Sequence, residues 1–142
     1  MFYLQLMSEI EMRDSRLLGE VEKEITTLLS DLIRIDTTNP PGNETEATEY
    51  LARNLEKEGF ECELFESSSG RGSVVTRLSG TKEKPNLLLL SHLDVVAANP
   101  KEWSVAPFSG LVKDGFVWGR GALDMKSLTA IEIMVLKLLK RR

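Results

Sequence analysis

The chain has 142 residues, 42% of them hydrophobic and 28% charged, an ordinary balance for one globular domain with an apolar core. Its net charge of -4 and pI near 5.1 argue against nucleic acid, because phosphate binding needs clustered Lys and Arg that release counterions. A single cysteine, Cys62, excludes an internal disulfide, and no apolar run approaches the ~20 residues of a membrane span.

The opening run Met1 to Met7 is too short for a signal sequence and lacks a basic start, so a cytoplasmic protein is expected. Residues 1–16 are set apart as an N-terminal extension, either flexible or included by the choice of start codon. From Glu20 to Ile35, Val21, Ile25, Leu28, Leu29, Leu32 and Ile33 recur at three- and four-residue spacing, the stripe of an amphipathic helix. Thr37 to Asn43 contains Pro40, Pro41 and Gly42 and reads as a loop. A second helix starts near Asn43 or Thr45, buries Ala47, Tyr50, Leu51 and Leu55, and stops at Gly59.

Phe60 to Leu64 alternates apolar and charged residues like an edge strand, which makes Cys62 a small buried hydrophobe and not a nucleophile. Ser73 to Leu78 reads as the next strand, followed by a turn from Ser79 to Pro85. Asn86 to Ser91 is continuously apolar through Leu87, Leu88, Leu89 and Leu90, the pattern of a strand buried on both faces. After an irregular stretch to Phe108, the Asp114-Gly115 pair marks a hairpin turn within Leu111 to Trp118. Ser127 to Leu139 is apolar nearly all round and reads as a helix wanting cover on most sides, with a basic end at Lys140, Arg141 and Arg142. Helices alternating with strands predict an α/β fold with helical layers on a sheet.

Two places carry residue types suited to chemistry. His92 and Asp94 directly follow the apolar run and sit two positions apart, so on extended chain they share one side. In open α/β sheets ligands collect at such strand ends. The plainer reading leaves His92, the only histidine, bonded to a turn. Asp124 follows Gly119 and Gly121 and precedes the last helix, where it serves either as a ligand presented from a tight loop or as the helix N-cap. Neither a Walker-type sequence nor a full dinucleotide fingerprint is present.

Taken together, Ser91-His92-Leu93-Asp94-Val95-Val96, Trp103, Pro107-Phe108, Asp114-Gly115 and Gly119-Arg120-Gly121-Ala122-Leu123-Asp124-Met125-Lys126 resemble a zinc metallopeptidase family. That family contains acetylornithine deacetylase, succinyl-diaminopimelate desuccinylase, aminoacylase and the glutamate carboxypeptidases. Ile35 to Gly42 and the strand from Ser73 to Gly80 also look like its opening segment, so the likeness runs from about Glu20 to Arg142.

The resemblance implies the N-terminal part of a doubly wound, mostly parallel sheet flanked by helices, over residues 17–142. It implies that His92 binds one zinc, that Asp124 bridges two zincs, and that Asp94, commonly counted as catalytic, orients His92. Cobalt or manganese is also compatible with such a donor set. The substrate implied is a small peptide or N-acyl amino acid, with no nucleic acid and no membrane partner. Family members are longer, and their adjacent Glu-Glu pair, further ligands and dimer domain come after the helix that closes this sequence. Glu132 has no acidic neighbour and does not replace that pair. A catalytic zinc normally keeps three protein ligands, so this polypeptide is expected to bind zinc weakly, to hydrolyse nothing alone, and to self-associate through the bare face of its last helix. The alternative is a non-catalytic truncated paralogue, or a subunit needing another chain to complete the site.

Overall fold

The computed structural model describes residues 2–80 and 85–142, with side chains from residue 16 onward. Helix α1 spans Phe2–Arg34, so the stripe expected from Glu20 forms its C-terminal half. Helix α2 (Glu44–Glu56) follows the proline-rich loop, and its chain reverses at Gly59, where φ is +75°. Strands β1 (Cys62–Glu66) and β2 (Gly72–Thr76) form an antiparallel hairpin with Cys62 opposite Thr76 and Glu66 opposite Gly72. A second hairpin joins β3 (Leu111–Lys113) to β4 (Phe116–Trp118). Its turn has positive φ at both Asp114 (54°) and Gly115 (78°), as the Asp-Gly pair dictates. Helix α3 (Lys126–Lys140) closes the described chain. The turn expected from Ser79 to Pro85 falls largely in residues 81–84, outside the described residues.

The core is a wedge where the stripes of the helices meet. Leu28 and Leu32 of α1, Ala47, Leu51 and Leu55 of α2, and Ala130 and Ile133 of α3 form one buried cluster with Phe60. At the far end of α3 this packing is reinforced by charge. The Arg141 guanidinium binds Glu24 of α1, with Nη1 to Oε2 at 2.9 Å, and also Glu58 beyond α2, while Lys137 binds Glu24 and donates to Asn54 at 2.8 Å. Cys62 is half-buried, and desolvation pushes its thiol pKa up, away from nucleophilic use.

The architecture is α/β, yet its two described sheets are separate antiparallel pairs, and the run from Asn86 to Ser91 forms no strand ladder. Leu87, Leu88 and Leu90 are 83%, 81% and 78% exposed, which corrects the expectation of a strand buried on both faces. The physical reason is that a strand has half its backbone hydrogen bonds on each edge. Among the described residues none pairs with this run, so its apolar faces gain no layer to pack against. One parallel bridge, Thr38 to Val95, lies just beyond it. The outer face of α3 is likewise uncovered, with Leu128, Ile131, Val135 and Leu139 exposed.

Candidate metal centre

The loop after α1 holds the segment that carries the histidine. The buried Thr37 hydroxyl donates to Leu93 O at 2.6 Å, Val95 N–H donates to Thr37 O at 3.1 Å, and Asn39 N–H donates to Val95 O at 2.8 Å. Residues 93–95 are thereby bracketed although they lie more than fifty positions along the chain. On the other side the Ser91 hydroxyl donates to Glu132 Oε2 of α3 at 2.7 Å. That is the role of the lone acid in the apolar helix: it tethers the residue before His92.

The loop bearing Asp124 is pressed against the same elements. Gly121 has φ +85°, and a Cβ there would lie 2.8 Å from Val95 Cγ1. Arg120 N–H donates to Pro107 O at 2.7 Å, and Lys126 N–H returns to Gly121 O at 2.9 Å. Lys126 itself is fully buried. Its ammonium donates to Leu32 O and Ile35 O, both at 2.8 Å, and so satisfies carbonyls that the end of α1 leaves open. Desolvation lowers that amine to about 8. Asp124 does not cap α3. The N-cap position is Met125, and no side-chain cap bond forms there.

These supports bring the sequence-predicted residues together. His92 Nε2 lies 3.1 Å from Asp124 Oδ1, while His92 Nδ1 faces Asp94 Oδ1 at 3.2 Å and Asp94 O at 3.1 Å. Acceptors face both ring nitrogens, so the neutral ring can donate from either one, and the tautomer suited to a cation is the one with its hydrogen on Nδ1. The lone pair of Nε2 then points at a carboxylate oxygen, and two acceptors this close need a proton or a cation between them. Zinc bonds of about 2.0–2.2 Å at tetrahedral angles separate two donor atoms by about 3.4 Å, close to the distance found. The donor set therefore fits a divalent ion, and the other oxygen of Asp124 stands on a side chain 89% exposed.

Asp94 is held from behind. Asn39 Nδ2 donates to its Oδ2 at 2.8 Å, and this bond is the main reason its carboxyl stays below the usual range, against the opposing effect of partial burial. Asn39, Thr37 and Lys126 were not singled out by sequence reasoning. Their contacts span 55, 56 and more than 90 positions, and no local spacing signals such pairings. Among the described residues no three His, Cys, Asp or Glu side chains gather into a metal-sized cluster. No helix among them is long and apolar enough to cross a membrane.

Comparison with known proteins agrees with the motif reading. Residues 88–142 match Peptidase family M20/M25/M40. A succinyl-diaminopimelate desuccinylase of Psychromonas ingrahamii is 38% identical over 117 residues, covering 82% of this chain and 30% of that protein. One of Wolbachia pipientis is 36% identical over 70% of this chain and 24% of its own length. An N-formyl-4-amino-5-aminomethyl-2-methylpyrimidine deformylase of Halalkalibacterium halodurans is 32% identical over 98% of this chain and 33% of its own length. The chain thus spans about a third or less of the relatives it matches, which are named as hydrolytic enzymes. Its motifs, their spacing and these relatives agree: residues 88–142 match peptidase family M20/M25/M40, and most of the chain is similar to enzymes named as desuccinylases and a deformylase.

Proposed function

We propose that this chain contributes one side of a two-metal centre that hydrolyses amide bonds in small peptides or N-acyl amino acids. The observation that carries the reading is the 3.1 Å approach of His92 Nε2 to Asp124 Oδ1, two side chains 32 positions apart. His92 and one oxygen of Asp124 would hold the first divalent ion, and the second oxygen of Asp124 would reach the other. Zinc suits imidazole and carboxylate together, as do cobalt and manganese. When bound, such ions polarise a scissile carbonyl and bring the pKa of a water near neutrality.

The chain's own residues prepare that site. In this reading the Asp94 carboxylate and carbonyl, both facing Nδ1, favour the hydrogen of His92 on that nitrogen, so Nε2 is free to donate its lone pair and the ring keeps one orientation. The glycines at 119 and 121 let the Asp124 loop lie against α1 and Val95. Two donors fall short of the three that a catalytic zinc keeps, so the remaining ligands and the general base come from outside the described residues in this reading. The run from Asn86 to Ser91 then becomes a strand of a mostly parallel sheet once partners flank it. The desuccinylase and deformylase names of the relatives support an N-acyl substrate.

Calorimetric titration of zinc into the 142-residue chain tests the site. Weak binding is expected for the parent, and none for His92→Ala or Asp124→Ala. Equal heats in all three proteins would remove these residues from the metal centre.

A further inference from the structure

Asn39 reaches the site from a loop whose backbone is already secured without its side chain. The Asn39 N–H bond to Val95 O, the Val95 N–H bond to Thr37 O and the Thr37 hydroxyl bond to Leu93 O hold that loop against residues 93–95. The side-chain amide is thus left for another partner, and it donates to Asp94 Oδ2 at 2.8 Å. The other oxygen of Asp94 faces His92 Nδ1 at 3.2 Å. Nδ1 also meets the Asp94 carbonyl at 3.1 Å, and a carboxylate with one oxygen held by the Asn39 amide and the other against the His92 ring cannot turn about its Cβ–Cγ bond without losing one of those contacts.

We propose that Asn39 is a positioning residue, which sets the rotation of the Asp94 carboxylate so that Asp94 holds the His92 ring with Nε2 toward Asp124. This rests on the pairing of Asp94 with His92 described under the proposed function. An amide is well matched to the task. It donates a hydrogen bond that favours the ionised carboxylate, yet it brings no positive charge toward a site meant for cations. The line Asn39, Asp94, His92, Asp124 therefore links the loop after α1 to the loop before α3 through side chains alone, at successive separations of 2.8, 3.2 and 3.1 Å.

His92 is the only histidine, so long-range proton–nitrogen NMR of the labelled 142-residue chain reads its two ring nitrogens without ambiguity. The parent, Asn39→Ala, Asn39→Asp and Asp94→Ala are compared at a pH where the ring is neutral. Loss of the Asn39 donor is expected to lower the ratio of Nδ1–H to Nε2–H tautomer by about two- to tenfold, the range of one net hydrogen bond. Asp94→Ala is expected to lower it at least as far. Asn39→Asp keeps the shape of the side chain but cannot donate, and it should follow Asn39→Ala. An unchanged ratio in both Asn39 variants, with Asp94→Ala altered, overturns the role of Asn39 and leaves the Asp94–His92 pair standing. An unchanged ratio in Asp94→Ala as well refutes the pair itself. Loss of folding in both Asn39 variants also overturns the proposal, because the side chain would then be holding the loop.

Discussion

Two leucine-rich segments of this molecule have opposite fates. In α1, Leu28 and Leu32 are buried against α2 and α3, whereas Leu87, Leu88 and Leu90 stand in solvent beside the candidate site. The hydrophobic gain available per leucine is the same in both places, roughly 2 kcal/mol for full burial. What differs is the backbone. A helix closes its hydrogen bonds within itself, so it can form first and then offer a finished stripe to its neighbours. A strand has no such independence, and until another strand lies alongside, its side chains have no surface to complete. The site sits where these two regimes meet, with Asp124 at the root of a packed helix and His92 at the end of an unpaired run.

The strongest attempt to break this contrast is to shorten a leucine on each side. Leu32→Ala is expected to cost about 2–5 kcal/mol in urea unfolding, because the wedge around it cannot collapse into the space. Leu88→Ala should stay within about 0.5 kcal/mol. Equal losses would mean that residues 87–90 are packed in solution.

A smaller effect sharpens where the wedge meets the site. Gly121→Ala forces a side chain into left-handed backbone and against Val95, which should destabilise by roughly 1–3 kcal/mol in the same measurement. Gly19, in the exposed middle of α1 with nothing near its Cβ position, should give the reverse sign, a gain of about 0.5–1 kcal/mol for Gly19→Ala. A neutral outcome for Gly121→Ala would mean that the Asp124 loop is free of Val95.

The mildest test concerns the charged end of the wedge. The Arg141 hydrogen bonds hold the Glu24 carboxyl down to about 2 from an ordinary 4.5, and those of Arg141 lower Glu58 as well. Between those values the unfolded chain binds more protons than the folded one, so stability rises with pH through that window. The contribution is complete above about 4.5 and is lost as pH falls toward 2. Arg141→Ala should flatten the dependence of unfolding midpoint on pH between 5 and 2, as read by circular dichroism. An unchanged slope would show that the ion pairs are screened in solution.

Much of the helical layer was legible because its signals are local. The three- and four-residue spacing along α1 and α2 named Leu28, Leu32, Leu51 and Leu55 as core, and Asp114-Gly115 located a turn. Composition predicts a doubly buried strand at 86–91, but composition reports only what a segment would gain from cover. The candidate site was legible in its endpoints, since His92, Asp94 and Asp124 belong to recognisable motifs. Its supports were not, because Asn39 and Thr37 lay inside a stretch that read as an ordinary loop.

By itself the sequence determined that the stretch from Glu20 to Arg34, α2 and α3 would be helical, where the hairpin at Asp114-Gly115 would turn, and which side chains were chemically fit to bind a cation. Tertiary structure alone decided that Asp124 meets His92 instead of capping α3, that Asn39 stands behind Asp94, and that Lys126 is buried under the end of α1. The division follows from range. Helix periodicity and turn chemistry act within a few residues and leave a pattern in the chain, whereas a hydrogen bond across 55 or 94 positions exists only after packing has fixed both of its ends.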